Sequence, residues 1–549
     1  MGKKDENFSI ENYEFLPGTV HLIDVGQSLN VKKEGDGDII LHPQPTNNPN
    51  DPLTWSKKKR AVQFGIIWFW GFMVAGSFNF MGPLFADWMA EFNVQLTELL
   101  IGSALGFLFL GVGVTLIQPT GLKLGKQLVY NLGTILSIIA CAFGSQTKSI
   151  GYFYAYKIAI GLAASPVDSL VEISSTDMFF QHERSTAISW LVMALYGGSD
   201  LFPVACGYIA ASMHWSWTYY VQIIIYVPLL IVQILFVEDT TFRRGGKKHD
   251  EDTLEEGILK QIKSSESNKN LGTVEEAKEE GEVEVESTNS ADIPEKTYWQ
   301  KRNWIHREEN DTRSWFQIFL RPFTLITFPA VVWGGIIYGG QMCWISLIVN
   351  LQSAIYSAPP YNFSVDIVGL TTLGMFFGNV VGMFYGGPFV DWLAVKLARR
   401  NHGVLEPEHR LHAMLVPTIL NAIGVLAFGL GAYYKLHFTV SVVIGMGFMG
   451  FAMTSSGAIG LVYAVDCYGK LGSECIVLML FIRNMIGMAF TFGIAPWMEA
   501  QGTLKTTWVM FMLSVLINGS YLAFIFWGKT FRRSTKDRYE RMTVGLIAH

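Results

Sequence analysis

Apolar and polar positions fall in long blocks along this chain, without the short amphipathic period of a soluble fold. Residues 1–60 are polar and turn-rich, ending in HPQPTNNPNDPLTWSKKKR, and contain no apolar core of the kind a cleaved signal peptide needs. Six apolar runs follow at roughly 61–85, 97–118, 127–146, 150–174, 185–210 and 217–237. Runs of this length cross a ~30 Å hydrocarbon layer as helices rising ~1.5 Å per residue. From Phe242 to about Ser314 the chain is hydrophilic, and its Glu/Lys-rich blocks (DEDTLEEG, TVEEAKEEGEVEVE) cannot bury a core. A second set of runs, roughly 322–350, 367–389, 411–434, 438–466, 475–498 and 506–528, leads to the basic tail KTFRRSTKDRYERM.

Six spans, a linker and six more spans predict an all-α membrane protein: twelve transmembrane helices in two pseudo-symmetric six-helix bundles, the hydropathy pattern of a transporter. The expected organisation is a tail at 1–60, a first bundle at 61–241, a charged linker at 242–321, a second bundle at 322–528 and a tail at 529–549. Basic residues crowd the first tail (Lys57, Lys58, Lys59, Arg60), the second loop (Lys123, Lys126), the linker, the loop after span 8 (Lys396, Arg399, Arg400, Arg410) and the last tail. Intervening loops carry few, which places both termini and the linker on the cytoplasmic side. The sequon Asn362-Phe363-Ser364 then lies outside, where glycosylation occurs, whereas those at Asn7 and Asn310 lie inside and should be silent.

Composition changes little in this picture. Half of the 549 residues are hydrophobic and only 16% are charged, where a soluble chain carries about 25%. Mean hydropathy is +0.29 and the net charge is −5, with most charge in tails and loops. There is no basic stripe for nucleic acid. Cys141, Cys206, Cys343, Cys467 and Cys475 all fall in or beside apolar runs, which suits small-residue packing better than disulfides or metal ligation. No CxxC or HExxH occurs, nor any nucleophile with its base or phosphate-binding loop, so neither metal, cofactor nor enzymatic activity is expected.

The chemistry concentrates in Gly161–Arg184, GLAASPVDSLVEISSTDMFFQHER. Asp168 and Glu172 are four residues apart and lie one turn above the other on a helix face that Ser165, Ser169 and Thr176 continue. An acid at the centre of a membrane helix costs about 2.5–3.5 kcal/mol, so a pair implies an aqueous cavity, a counter-charge or protonation. Two such acids raise each other's affinity for protons, and a cationic solute would compete for the same place. The bland alternative has Glu172 pairing with a basic loop residue. Asp200, a single acid beside Gly197, Gly198 and Ser199, either faces the cavity or pairs with Lys157 on the neighbouring span; Lys157 could equally be an interfacial lysine. In span 7, Tyr338, Gln341 and Trp344 are candidate members of a cage for an organic ammonium group, though aromatics at helical spacing are more often packing. Trp68, Trp70 and Asn79 in span 1 are weaker candidates. Arg483, inside span 11, needs an acidic or carbonyl partner, and Asp466 caps or pairs where span 10 ends.

Several strings in this chain resemble the major facilitator superfamily, specifically its fungal twelve-span drug:proton antiporter family, over essentially residues 38–530. They are NPNDPLTW, SPVDSLVEISSTDMFFQHER, PYNFSVDIVGL, DWLAVKLARRNHGVLEPEHRL and YAVDCY. NPNDPL, FFQH and DCY are shared with the polyamine and histidinol branch of that family. The resemblance implies that Asp391 with Arg399 and Arg400 forms an inside latch, that Lys157 stands where the family carries a proton-coupling arginine, and that Arg483-Asn484 is a gating landmark. It also implies a monomer in the plasma membrane, driven by the proton gradient and carrying a small cationic solute. The first-half copy of the loop motif is degraded to Gly125-Lys126-Gln127, and Phe202 replaces the glycine before Pro203 in the antiporter signature of span 5. Proton-coupled transport of small organic cations, polyamines first, is therefore the leading expectation. The alternatives are proton-driven export of apolar or cationic drugs, and a nutrient receptor on a transporter scaffold.

Overall fold

A computed structural model describes residues 16–21, 41, 48–240, 297–302, 304, 314–401 and 403–543. Most of the first tail and of the linker, with the sequons at Asn7 and Asn310, and residues 544–549 lie outside these residues.

The first six crossings are α1 (Lys57–Asn79), α2 (Leu96–Leu124), α3 (Lys126–Gly144), α4 (Ile150–Met178), α5 (Arg184–Ser212) and α6 (Trp217–Phe236). Their limits follow from local chemistry. The Ser56 hydroxyl accepts the Lys59 N–H to start α1, and Gln95 with Glu98 forms a capping box at α2. Gly125, at φ +101°, turns the chain from α2 into α3 in a single residue, a backbone geometry that suits glycine.

The second half supplies α7 (Pro329–Tyr356), α8 (Val365–Arg400), α9 (Glu408–Tyr433) and α10 (Val440–Cys467). Helix Gly472–Gly519 reverses at Gly502, whose φ of +76° no helix interior adopts, and so provides both α11 (472–501) and the start of α12 (503–543). The seventh crossing starts later than the apolar run suggests. Residues 315–324 form an amphipathic helix capped by Ser314 and Gln317, and Pro329 at the first turn opens α7 itself.

Both halves pair their helices in the same order. Contacts of α1 with α5, α2 with α4 and α3 with α6 recur as α7 with α11, α8 with α10 and α9 with α12, the signature of two six-helix bundles related by pseudo-symmetry. The bundles meet along α2 against α11 and α5 against α8. Small residues permit the tight crossings: a Cβ on Gly198 would meet the Phe72 carbonyl at 2.1 Å, and one on Gly378 would meet the Gly447 carbonyl at 2.0 Å. All five cysteines are free and buried.

Helix starts at Lys57 and Pro329 and the last helical residue, Thr543, share one end of the bundles, called here the basal face. There Arg532 holds Glu408 through two bonds of 2.9 and 2.7 Å and donates to the Pro17 carbonyl, while β1 (Val20–His21) pairs antiparallel with β2 (Val404–Leu405). Asn362 is exposed at the opposite, far face.

Candidate functional site

Midway along α4, the Asp168 carboxylate meets Arg483 of α11 in a buried ion pair that spans the two bundles. Asn484 adds a side-chain N–H to the same Asp168 oxygen at 3.0 Å, and Arg483 also donates to the Asn484 amide oxygen. Arg483 is 1% exposed and Asp168 4%, so each supplies the charge the other needs in a medium that solvates neither. The Arg483 guanidinium in turn lies 4.6 Å from the centre of the Tyr338 ring on α7.

One turn further along α4, Glu172 accepts a hydrogen bond from the Tyr338 hydroxyl at 3.3 Å. Its second carboxyl oxygen is buried without a partner among the described residues. Of the two acids predicted to share a site, Asp168 thus has its own cation, and Glu172 has only the Tyr338 hydroxyl among the described residues. Tyr338 joins them, with its ring on the arginine and its hydroxyl on the glutamate.

Asp168 and Arg483 line a cavity of ≈ 40 Å³ between the bundles, together with Phe78, Asn79, Tyr196 and Met342. That is room for about two or three waters. Asn79 donates to the Ser199 hydroxyl at 2.9 Å and closes one wall.

Other predicted positions separate from this centre. Gln341 donates to Asn518 at 2.8 Å inside the second bundle, and Trp344 is buried edge-on to Phe490; neither lines the cavity, whereas Met342 and Ile345, on the adjacent face of α7, do. Lys157 neither pairs with Asp200 nor reaches an interface. It is buried, donates to the Phe78 carbonyl at 2.7 Å and lies over the Phe78 and Phe153 rings. Asp200 faces α8, where Asn379 donates to it at 2.6 Å. Trp70 packs on Tyr130 in the first bundle, and the Trp68 ring N–H goes to the Trp190 carbonyl.

The basal latch is built around a residue outside the expected set. Asp391 accepts Arg410 at 2.6 Å, and also the Thr186 N–H and hydroxyl at 2.8 and 2.7 Å; Arg399 and Arg400, the anticipated partners, end α8 on its exposed side. Arg410 extends to Asp466 at 3.0 Å, to the Gln181 carbonyl at 3.0 Å and to the Ser185 hydroxyl, and Arg184 takes the other Asp466 oxygen at 2.5 Å. Because Gln181, Arg184, Ser185 and Thr186 belong to the first bundle and Asp391, Arg410 and Asp466 to the second, this network ties the bundles together at the basal face.

The Major Facilitator Superfamily profile matches residues 67–469, most of the chain. This protein belongs to that superfamily. It is a membrane transporter and not an enzyme, with a small-molecule substrate and a multi-pass fold in the bilayer. Similar sequences include an uncharacterised MFS-type transporter of Schizosaccharomyces pombe, 27% identical and covering 96% of this chain and 94% of its own. Protein HOL1 of Saccharomyces cerevisiae is 26% identical over 97% of this chain and 98% of its own. In fold the chain is similar to the proton:xylose symporter XylE, at a TM-score of 0.57 and 13% identity, covering 86% of this chain and 97% of that one.

Within the superfamily fold, the residues that sequence reading passed over are Arg410, Arg184 and Asn379. Arg410 and Arg184 look like loop charges in the sequence, and only their convergence on Asp466 marks them as a latch. Asn379 carried a usable signal, as the one amide in the apolar run LGMFFGNVVGMF.

Proposed function

We propose that this transporter carries small organic cations, polyamines foremost, in exchange with or alongside protons, by alternating access around the Asp168–Glu172–Tyr338–Arg483 centre. Glu172 carries the reading: it is a fully buried acid with one oxygen unpartnered, beside an ion pair that is already neutral. With Glu172 protonated the centre is neutral; with Glu172 ionised it holds one surplus negative charge. A proton and a positively charged solute can each cancel that charge, so occupancy by one disfavours the other, which is a minimal device for coupling. The Tyr338 ring supplies a further surface for an ammonium group once Arg483 moves.

The orientation that goes with this reading puts the basal face in the cytoplasm and the far face outside the plasma membrane, because Lys57–Arg60, Arg321 and the basic end of α8 gather at the basal end. Asn362 would then carry a glycan.

The test is uptake of radiolabelled spermidine and a panel of other cations into proteoliposomes, with and without an imposed pH gradient. Uptake that the gradient stimulates, and that Glu172→Gln weakens and makes insensitive to the gradient, supports the proposal; uptake indifferent to both the gradient and that substitution removes it. A second reading, export of apolar cationic compounds, is favoured by the cavity wall, which apart from Asn79, Ser199, Tyr196 and the ion pair is aliphatic or aromatic. Loss of an importer protects cells from toxic substrate analogues, while loss of an exporter sensitises them.

A further inference from the structure

Asp200 has no place in the centre just described. Its side chain is fully buried, does not line the cavity, and points from α5 across the bundle interface to α8. One carboxyl oxygen accepts the Asn379 amide at 2.6 Å, and the other has no partner among the described residues. Asn379 is held in register by Thr454 of α10, which donates to its amide oxygen at 2.7 Å. Thr372 of α8 donates to the Asp200 backbone carbonyl at 2.6 Å.

Among the described residues no cation faces this carboxyl. On α1 the charged residues are Lys57–Arg60, at its first turn; on α8 they are Asp366, Asp391, Lys396, Arg399 and Arg400, towards its two ends; on α10 the charge is Asp466, at its last turn. On the neighbouring α4 and α11, Lys157 is given to the Phe78 carbonyl, Asp168 and Arg483 to one another, and Glu172 to Tyr338. The nearest titratable group on α5 itself is Tyr196, one turn back. A carboxylate sealed here would be an isolated buried charge, and a protonated carboxyl would be an ordinary buried polar group.

Beyond Asp200 towards the far face, α5 and α8 are zipped at close range. A Cβ on Gly369 would meet the Pro203 carbonyl at 2.6 Å, and one on Gly207 would meet the Val365 carbonyl at 2.7 Å. Parting this seam is what would expose Asp200 to the solution on the far side.

We propose that Asp200 is a second proton-binding site, separate from the solute site, which takes its proton from the far side and keeps α5 closed on α8 only while protonated. Ionisation opens the seam and protonation seals it. The inference rests on the two bundles moving apart and not on which solute is carried.

The test places a cysteine at Val204, where α5 meets Gly369, and follows its labelling by a membrane-impermeant maleimide from the far side of sealed vesicles; the protein without the added cysteine gives the background. Divided by the rate at a far-side cysteine that is exposed in every state, which removes the rise in thiolate common to any thiol, labelling should speed up as pH rises, by up to about tenfold per unit for one titrating proton. Asp200→Asn, a fixed neutral mimic, should label slowly at every pH. Asp200→Glu should keep the dependence with a displaced midpoint. A pH-independent parent, or an Asp200→Asn profile that follows the parent's, overturns the proposal. If the asparagine variant does not fold, an Asp200→Glu midpoint identical to the parent's does so. None of these readouts depends on solute, so the cation assignment can fail while this one stands.

Discussion

Arg483 and Asp168 form an ion pair that belongs to neither bundle: the arginine comes from the eleventh crossing, the aspartate from the fourth, and both are buried. A carrier that alternates must either break this pair or move it as a unit. Removing one partner leaves the other as an uncompensated charge, at a cost of about 3–5 kcal/mol, whereas neutralising both is far milder. Arg483→Gln should therefore unfold at markedly lower temperature in detergent than wild type, and Asp168→Asn with Arg483→Gln should regain most of that loss. Transport should be absent in both. A double variant no more stable than the single one would mean that the two groups do not sustain each other.

The basal network predicts a hierarchy among the arginines near α8. Arg410 serves Asp391 and Asp466 at once and reaches into the first bundle through Gln181 and Ser185. Arg410→Ala leaves two buried acids short of a partner and removes contacts that hold the basal side shut. A cysteine at Val192, buried where α5 faces Gly457 of α10, should then become reactive to maleimide from the basal side. Arg400→Ala, at an exposed position, should leave that reactivity and the unfolding temperature close to wild type.

Glycines at helix crossings separate packing from propensity. Ala at Gly378 would drive its Cβ to 2.0 Å from the Gly447 carbonyl and force α8 off α10, an overpacking cost of about 1–3 kcal/mol. At Gly493 in α11 nothing lies within 4 Å, and Gly493→Ala should be neutral or stabilise by up to about 1 kcal/mol through helix propensity. Melting temperatures of the two variants in the same detergent should move in opposite directions or, at least, only Gly378→Ala should fall.

The twelve crossings were legible because the bilayer makes span length a nearly sequence-independent requirement, and the apolar runs meet it one by one. The start of α7 was not, since the amphipathic helix 315–324 is apolar enough to merge with the run behind it; Pro329 is the local sign that divides them. Within the site, Asp168 and Glu172 stood out as acids inside an apolar helix, and Arg483 as a charge in need of a partner. Their pairing was out of reach, because it depends on which faces of α4 and α11 oppose each other, 315 residues apart in sequence. The same holds for Lys157: its sequence position suggests an interface, and burial against the Phe78 carbonyl is a tertiary fact. Arg399 and Arg400 misled for the reverse reason, as their place in a familiar loop string says nothing of which arginine folds back onto Asp391.

Glu172 yields the most direct prediction about the solute. If its surplus charge receives the cation, proton and cation exclude one another, and the sign follows: lowering pH fills Glu172 with protons and weakens cation binding, while raising pH frees it. The apparent KM for spermidine should then rise on acidification of the binding side, by at most about tenfold per pH unit for one competing proton. Glu172→Gln removes the charge while keeping the shape and the hydrogen bond from Tyr338. Losing a charge-assisted contact worth about 1.5–3 kcal/mol should raise KM by roughly 10- to 100-fold and flatten its pH dependence. Tyr338→Phe keeps the ring above Arg483 and deletes only the hydroxyl that now occupies one Glu172 oxygen. It should retain the pH dependence with a small change in KM. Initial rates in proteoliposomes at several pH values, with spermidine as the probe, decide the matter: a Glu172→Gln profile parallel to wild type would assign the competition to another group.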